Sequence, residues 1–178
     1  MAARLPWRRR VLPSQLAAAL DAEEHIQVIA DLVDGKQLAA SRFGLWTVQD
    51  DKASRLGWEL VAKARLSARV LAVIPTQVVS EFADGTQVLV DEPTREYVLA
   101  GRSGLTDVVH NRVRRSVAAS RHLVYPGASG WVVLRRVPGR DGLTRQVRLD
   151  HGADASAPGF AAAVAVIADQ LAAVPQQG

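Results

Sequence analysis

The residue types that could support catalysis are few, and their spacing does not match a known catalytic pattern. The chain has four histidines, which are His25, His110, His122 and His151. No two of them stand at i and i+4 beside an acid, which is the spacing that a zinc-protease helix requires. Residues 101–104 and 127–130 resemble the G-x-S-x-G turn of serine hydrolases, but the second glycine stands one position too early. The sequence therefore predicts no catalytic residue and no metal site.

Motifs that bind phosphate-bearing cofactors are also missing from the sequence. It contains neither G-x-x-x-x-G-K-S/T nor G-x-G-x-x-G, the glycine patterns that hold nucleotide phosphates at a helix N-terminus. Asp50 and Asp51 form a carboxylate pair within a polar stretch typical of a turn, whereas glycosidase carboxylates flank a cleft. We therefore expect no cofactor and no enzyme activity.

Arginine is the residue type that indicates chemistry of another kind, the binding of anions. Nineteen of the 22 basic residues are arginine, and a guanidinium group presents a planar fork that matches carboxylate and phosphate oxygens. Ten arginines fall within residues 102–148, where the only acids are Asp107 and Asp141. The predicted anion-binding or partner-binding residues are Arg112, Arg115, Arg135, Arg136 and Arg140.

The net charge of +4 conceals a strong separation of sign along the chain. Residues 1–10 carry +4 and residues 102–148 carry +8, whereas residues 11–101 carry −5 and residues 149–178 carry −3. Folding can leave the second positive block as an exposed edge. It can also solvate these arginines or pair them with the acids of residues 11–101, in which case they have no binding role. The sequence leaves both interpretations open.

Length and composition favour one domain. With 178 residues, 48% of them hydrophobic, the chain is long enough to bury a core. Cysteine is absent, which excludes disulfides and is typical of a reducing cytoplasm. No apolar run reaches the roughly 18 residues that cross a bilayer, and no secretory signal is recognised at the N-terminus. We expect a cytoplasmic protein with a basic N-terminal arm over residues 1–13 and a single domain over residues 14–178.

Alternation of apolar and polar residues at a period of two predicts a chain that is mainly β. The predicted strands are 26–32, 37–48, 56–66, 70–74, 77–82, 86–90 and 95–100, followed by a hairpin of 131–136 and 143–149. The clearest alternation, at 56–66, places Trp58 on one face and Val61 on the other. About seven short strands at this spacing indicate a sandwich or a partly open barrel. The outward positions of the last hairpin include some of its four arginines, Arg135, Arg136, Arg145 and Arg148.

Three helices are predicted where the period changes. The first spans residues 15–21 after Ser14 as its N-cap, and the second runs from its N-cap Thr106 to about Ser120. The third spans residues 158–174 after Ser156 as its cap. Its inner stripe consists of Phe160, Val164, Ile167, Leu171 and Val174.

The outer face of the third helix is unusually apolar for a solvated helix. We predict an oligomer face there, formed by Ala162, Val166 and Ala173. The alternative is that alanine serves only as a strong helix-forming residue.

The order of these elements resembles the bacterial pleckstrin-homology-like fold. Residues 39–48 (AASRFGLWTV) and 55–61 (RLGWELV) look like the opening strands of such domains, in which a bent, half-open barrel is plugged by a C-terminal helix. The phrases at 113–117 and 135–139 are similar to ones in bacterial proteins of unknown function. The resemblance spans residues 26–174. It implies an α+β, mainly β, bent antiparallel barrel of about seven strands, with an inserted helix near 105–120 and a C-terminal helix at 158–174.

These observations favour a non-enzymatic interaction or scaffold module that binds an acidic protein segment or an anionic membrane headgroup through an arginine-rich edge. Nucleic-acid binding is one alternative, in which the basic arm with Trp7 and the basic helix contact phosphates, although aromatic stacking residues are scarce. A small-ligand carrier or enzyme that uses the barrel interior is another. There Trp46, Trp58 and Trp131 would line a pocket, although core packing is the simpler role for them. A homo-oligomer is compatible with all three.

Overall fold

Eleven strands and three α-helices make up residues 11–174, which are the part of the chain that this computed structural model describes. The helices are α1 (Ser14–Ala19), α2 (Leu105–Ser116) and α3 (Phe160–Ala173). The strands are β1 (Ile26–Asp31), β2 (Gln37–Ser41), β3 (Gly44–Gln49), β4 (Lys52–Gly57), β5 (Val61–Ser67), β6 (Val70–Glu81), β7 (Gln87–Asp91), β8 (Arg95–Val98), β9 (Val117–Tyr125), β10 (Ala128–Arg135) and β11 (Thr144–Leu149). Most of the predicted N-terminal arm, residues 1–10 with Trp7, lies outside the described residues.

The strands form two sheets. The first is an antiparallel meander in the order β1-β2-β3-β4, and the second has the order β5-β6-β7-β11-β10-β9, with β8 paired to β6. Among the described strands only β7 and β11 pair in parallel, which inserts the returning β10–β11 hairpin beside β7. The seven-stranded sheet curls into a half-barrel. The prediction of a mainly β chain with three helices is therefore confirmed.

Strand β6 is longer than its sequence predicts. The sequence indicates separate strands at 70–74 and 77–82, but one strand runs through Pro75. The first half of β6 pairs with β5 and β8, and the second half pairs with β7. Proline lacks an N–H donor and is tolerated where a strand changes its partner. Residues 37–48 were predicted as one strand, but a turn at 42–43 divides them into the two strands β2 and β3.

The segment 56–66 is not one strand, although its alternation is the clearest in the sequence. Strand β4 ends at Gly57, a single 3₁₀ turn covers Trp58–Leu60, and β5 then begins. The turn places Trp58 in the interior, where its indole N–H donates to the carbonyl oxygen of Ser41 at 3.1 Å. It also shifts the alternation, so that Val61 is fully buried and Leu66 is 45% exposed. The predicted facing of 56–66 is therefore wrong.

Two large hydrophobic cores lie against different helices. In the first core, Leu105 and Val109 of α2 pack with Trp58 and with residues of the first sheet and of β5 and β6. In the second core, Phe160 and Val164 of α3 pack on the apolar side chains of β7, β9, β10 and β11. A smaller cluster joins Leu16 of α1 to the outer side of the first sheet.

The predicted helix ends are corrected by tertiary contacts. Helix α2 stops at Ser116 because the next residues pair with β10 as part of β9, although helical periodicity continues to Ser120. At its start the hydroxyl of Ser103, and not that of Thr106, accepts the backbone N–H of Leu105 at 3.1 Å. Ser14 is the first residue of α1 and makes no cap bond.

Helix α3 begins two residues later than predicted. Its N-cap is Gly159, whose φ of +84° lies in the left-handed region that favours glycine. A Cβ atom there would also collide with the hydroxyl of Tyr125. Ser156 does not cap the helix; its hydroxyl donates to the carboxylate of Asp154 at 2.7 Å. The inner stripe is Phe160, Val164, Ala168 and Leu171, with Ile167 half-buried and Val174 exposed.

Because Phe160 is fully buried in the second core, we expect Phe160→Ala to lower the free energy of unfolding by about 3–5 kcal/mol. Val166→Ala is the matched control, since Val166 lies on the exposed face of the same helix and should change stability by less than about 0.5 kcal/mol. Urea unfolding followed by circular dichroism measures both. Equal effects of the two changes would contradict the assignment of α3 to this core.

Candidate anion-binding site

Four of the five predicted arginines line one surface depression. Helix α2 contributes Arg112 and Arg115, and the segment after β10 contributes Arg136 and Arg140. The turn between β2 and β3 adds Arg42, which sequence reasoning did not include. The depression has a volume of about 290 Å³. We call it the arginine depression.

Local structure explains why these side chains meet. Residues three apart on a helix share a face, so Arg112 and Arg115 project together from the last turns of α2. The backbone N–H of Arg136 donates to the carbonyl oxygen of Ser116 at 2.8 Å, which ties the β10–β11 loop to the end of the helix. The Arg136 guanidinium also donates to the carbonyl oxygens of Arg115 and Val117, at 3.4 Å each. The Arg115 carbonyl belongs to the last turn of α2, where carbonyl oxygens have no partner within the helix.

The arginine depression is cationic with an apolar floor. Trp58, Val137 and Pro138 border it between the arginines, and no aspartate or glutamate of the described chain lines it. Burial, together with the positive charges of Arg115 and Arg42, lowers the pKa of Arg112. Its Nε makes only a long hydrogen bond of 3.4 Å, to the Gln27 side chain. A bound anion would relieve this like-charge repulsion.

Arg42 pairs with a carboxylate, that of Glu23, which does not itself line the depression. Its Nη2 lies 3.2 Å from an oxygen of Glu23, and both side chains are exposed. The guanidinium also stands over the ring of Phe43, 4.5 Å from its centroid. Exposed pairs of this kind contribute little energy, so Arg42 stays able to exchange Glu23 for an external anion.

Arg135 is buried, whereas the sequence predicted that it binds a partner at the surface. It is 6% exposed, and its Nη1 and Nη2 donate to the Ser116 hydroxyl at 2.6 Å and to the Val61 carbonyl at 3.1 Å. Burial above all, together with the nearby charge of Arg148, lowers the pKa of Arg135 to about 10, and the charge of Glu59 partly opposes both effects. Arg135 therefore does not line the arginine depression, although its bond to Ser116 supports the floor.

The remaining arginines of the last hairpin are paired with carboxylates. Arg145 lies 2.6 Å from Asp169 and 3.8 Å from Asp84, and Arg148 lies 3.4 Å from Asp91. Two of these three acids belong to the acidic block of residues 11–101. Internal pairing thus accounts for this part of the positive block, whereas no aspartate or glutamate of the described residues lines the arginine depression.

The three tryptophans do not share a pocket. Trp46 lies in the cluster with α1 and donates its indole N–H to the buried carboxylate of Glu24 at 2.8 Å. Trp58 belongs to the first core, and Trp131 lies at the surface beside the ring of His122. Nothing in the sequence pattern identified Glu24 as a buried hydrogen-bond acceptor.

Ser129, His122 and Asp150 lie together near a glycine turn but are not arranged for nucleophilic catalysis. His122 Nε2 lies 2.6 Å from Asp150 Oδ2, and hydrogen bonds from Ser129 and His122 lower the pKa of Asp150. In a serine hydrolase the histidine stands between the serine and the carboxylate, whereas here Asp150 contacts both of the others. Within residues 11–174 no three acidic or histidine side chains are grouped to hold a metal ion. No helix of that part of the chain has the length and apolar character to span a membrane.

The residues of the predicted oligomer face, Ala162, Val166 and Ala173, are all exposed on α3. Their use as an interface stays a prediction. Comparison of the sequence with protein-family models and with curated proteins found no match.

We expect Arg112→Gln to raise the free energy of unfolding by roughly 0.2–0.5 kcal/mol, because it removes like-charge repulsion and a desolvated cation. Arg114→Gln removes the same charge from the same helix, but Arg114 does not line the depression, and a cation in the last turn favours the helix dipole. It should leave stability unchanged or lower it. Urea unfolding at low and high salt tests this, since the gain from Arg112→Gln should shrink as salt screens the repulsion. A loss of stability in Arg112→Gln would contradict it.

Proposed function

We propose that this chain is a non-enzymatic interaction module that binds an acidic protein segment through the arginine depression. The observation that supports the proposal is the convergence of Arg42, Arg112, Arg115, Arg136 and Arg140 on one depression whose lining carries no carboxylate. Clustered charges of one sign repel each other and lower stability unless a ligand compensates them. Binding of an anionic ligand would supply this compensation.

The shape and lining favour a protein segment over the other anions considered. Carboxylate side chains accept two parallel hydrogen bonds from a guanidinium fork. Val137 and Pro138, which line the depression beside the buried Trp58, offer contact to apolar atoms that flank the acids of a peptide. An anionic membrane headgroup carries the same sign of charge and is a competing ligand. Nucleic acid is a further competing ligand, since the basic helix that suggested it is α2, although most of the basic arm lies outside the described residues.

We further propose that strands β1–β7 and helix α2 together form a pleckstrin-homology-like domain. The support is a four-stranded meander, β1–β4, followed by β5–β7 and by a helix that packs on the first core. In this arrangement α2 is the closing helix. The sequence resemblance assigned that place to residues 158–174, but α3 packs on β9 and β10.

A fluorescein-labelled peptide rich in glutamate should bind the full chain at about 50 mM salt and lose most of its affinity at about 300 mM, because the contacts are electrostatic. We expect Arg115→Gln and Arg140→Gln each to weaken binding about fivefold, the upper range for partly exposed ion pairs. Arg114→Gln should change affinity less than twofold. Fluorescence anisotropy measures all three.

The competing ligands are tested in the same assay. If vesicles that contain phosphatidylserine, or single-stranded DNA, bind more tightly than the peptide and respond to Arg115→Gln, the ligand is a lipid or a nucleic acid and the proposed protein ligand is wrong. If Arg114→Gln weakens binding as much as Arg115→Gln, the arginine depression is not the site.

A further inference from the structure

A second cavity lies on the face of the curled sheet opposite α3. Its volume is about 270 Å³, and each of the six strands β5, β6, β7, β11, β10 and β9 contributes a lining side chain. Because the first and last strands of the sheet border the same space, this face is the concave interior of the half-barrel. We call the space the half-barrel cavity. It shares no lining residue with the arginine depression.

Two arginines, Arg135 and Arg148, line the half-barrel cavity. Arg148 is paired with Asp91 at 3.4 Å. Arg135 has only neutral acceptors, its Nε lacks any acceptor among the described residues, and no carboxylate oxygen lies within ion-pair distance of it there. The longer-range attraction of Glu59 offsets only part of this charge. The cavity wall thus carries an excess of about one positive charge, and buried charges normally have a counter-charge.

The rest of the wall is suited to an apolar body. Leu89 and Val133 are buried at the cavity, and Val117 and the Trp131 ring lie beside them. The volume is slightly below the roughly 300–1,000 Å³ typical of ligand pockets. Only a compact ligand therefore fits.

From this juxtaposition we infer that the half-barrel cavity binds a small organic monoanion, a single carboxylate on a compact apolar or aromatic body. The carboxylate lies between Arg135 and Arg148, and the body lies against Leu89 and Val133. A monoanion matches the single excess charge, whereas a dianion such as a phosphate ester would bury a second charge without a partner. This binding site is independent of the proposed function, because a different set of side chains forms it.

Benzoate and its neutral analogue benzamide are the probes, titrated into the full chain and followed by two-dimensional ¹H–¹⁵N NMR. We expect benzoate to shift the amide signals of Trp131, Val133 and Gln146 and to bind at least about tenfold more tightly than benzamide. Arg148→Met should weaken benzoate binding about tenfold. Arg145→Met is the matched control, since Arg145 lies on the same strand and pairs with Asp169 of α3, and it should change affinity less than twofold.

Arg135→Met is not a suitable variant, because it removes the hydrogen bonds that join β10 to α2 and β5 and can prevent folding. A cavity-filling variant tests the site instead. Ser120→Trp leaves every arginine in place and adds a large side chain at the cavity lining. It should abolish the benzoate shifts while glutamate-peptide binding at the arginine depression is unchanged. The inference is wrong if benzoate and benzamide bind equally, if Ser120→Trp still binds benzoate, or if Arg145→Met weakens binding as much as Arg148→Met.

Discussion

The buried guanidinium of Arg135 is the interaction on which the arrangement of this molecule depends. Its two bonds, to the Ser116 hydroxyl and to the Val61 carbonyl, join the end of β10 to the end of α2 and the beginning of β5. Those elements belong to the two separate hydrophobic cores, so this contact aligns one core with the other. The depressed pKa of Arg135 shows that burial of the charge is unfavourable, and the hydrogen bonds offset only part of that cost.

The same junction positions both candidate binding sites. The hydroxyl of Ser116 accepts a hydrogen bond from Arg135, and its carbonyl oxygen accepts one from Arg136. The last residue of β10 and the residue after it therefore both bind the C-terminal end of α2. One residue supports the half-barrel cavity and the next supports the arginine depression. A shift of register at β9, between the partners of Leu134 and Arg135, accompanies this change of direction.

Some arginines of the fold have a carboxylate partner on a neighbouring element, whereas others are brought together with further arginines. Arg55 lies against Asp21 and Glu24, and Arg145 lies against Asp84 and Asp169. These pairs use acids of the negative blocks, and they join the segment after α1 to β4 and helix α3 to β11. The arginine depression forms where α2 meets two loops that bring further arginines, and this local excess of charge is the physical basis of the proposed function.

The sequence alone determined the features that depend on neighbours in the chain. Period-two alternation predicted most strands, and the apolar stripe that begins at Phe160 predicted α3. Four arginines of the site were also recognised, because charge density is a local property. Tertiary structure decided the rest. The end of α2 depends on pairing with β10, and the break at Trp58 depends on a core formed by distant strands. The burial of Arg135 and the position of Arg42 at the arginine depression depend on how the strands pair, and local periodicity does not specify that pairing.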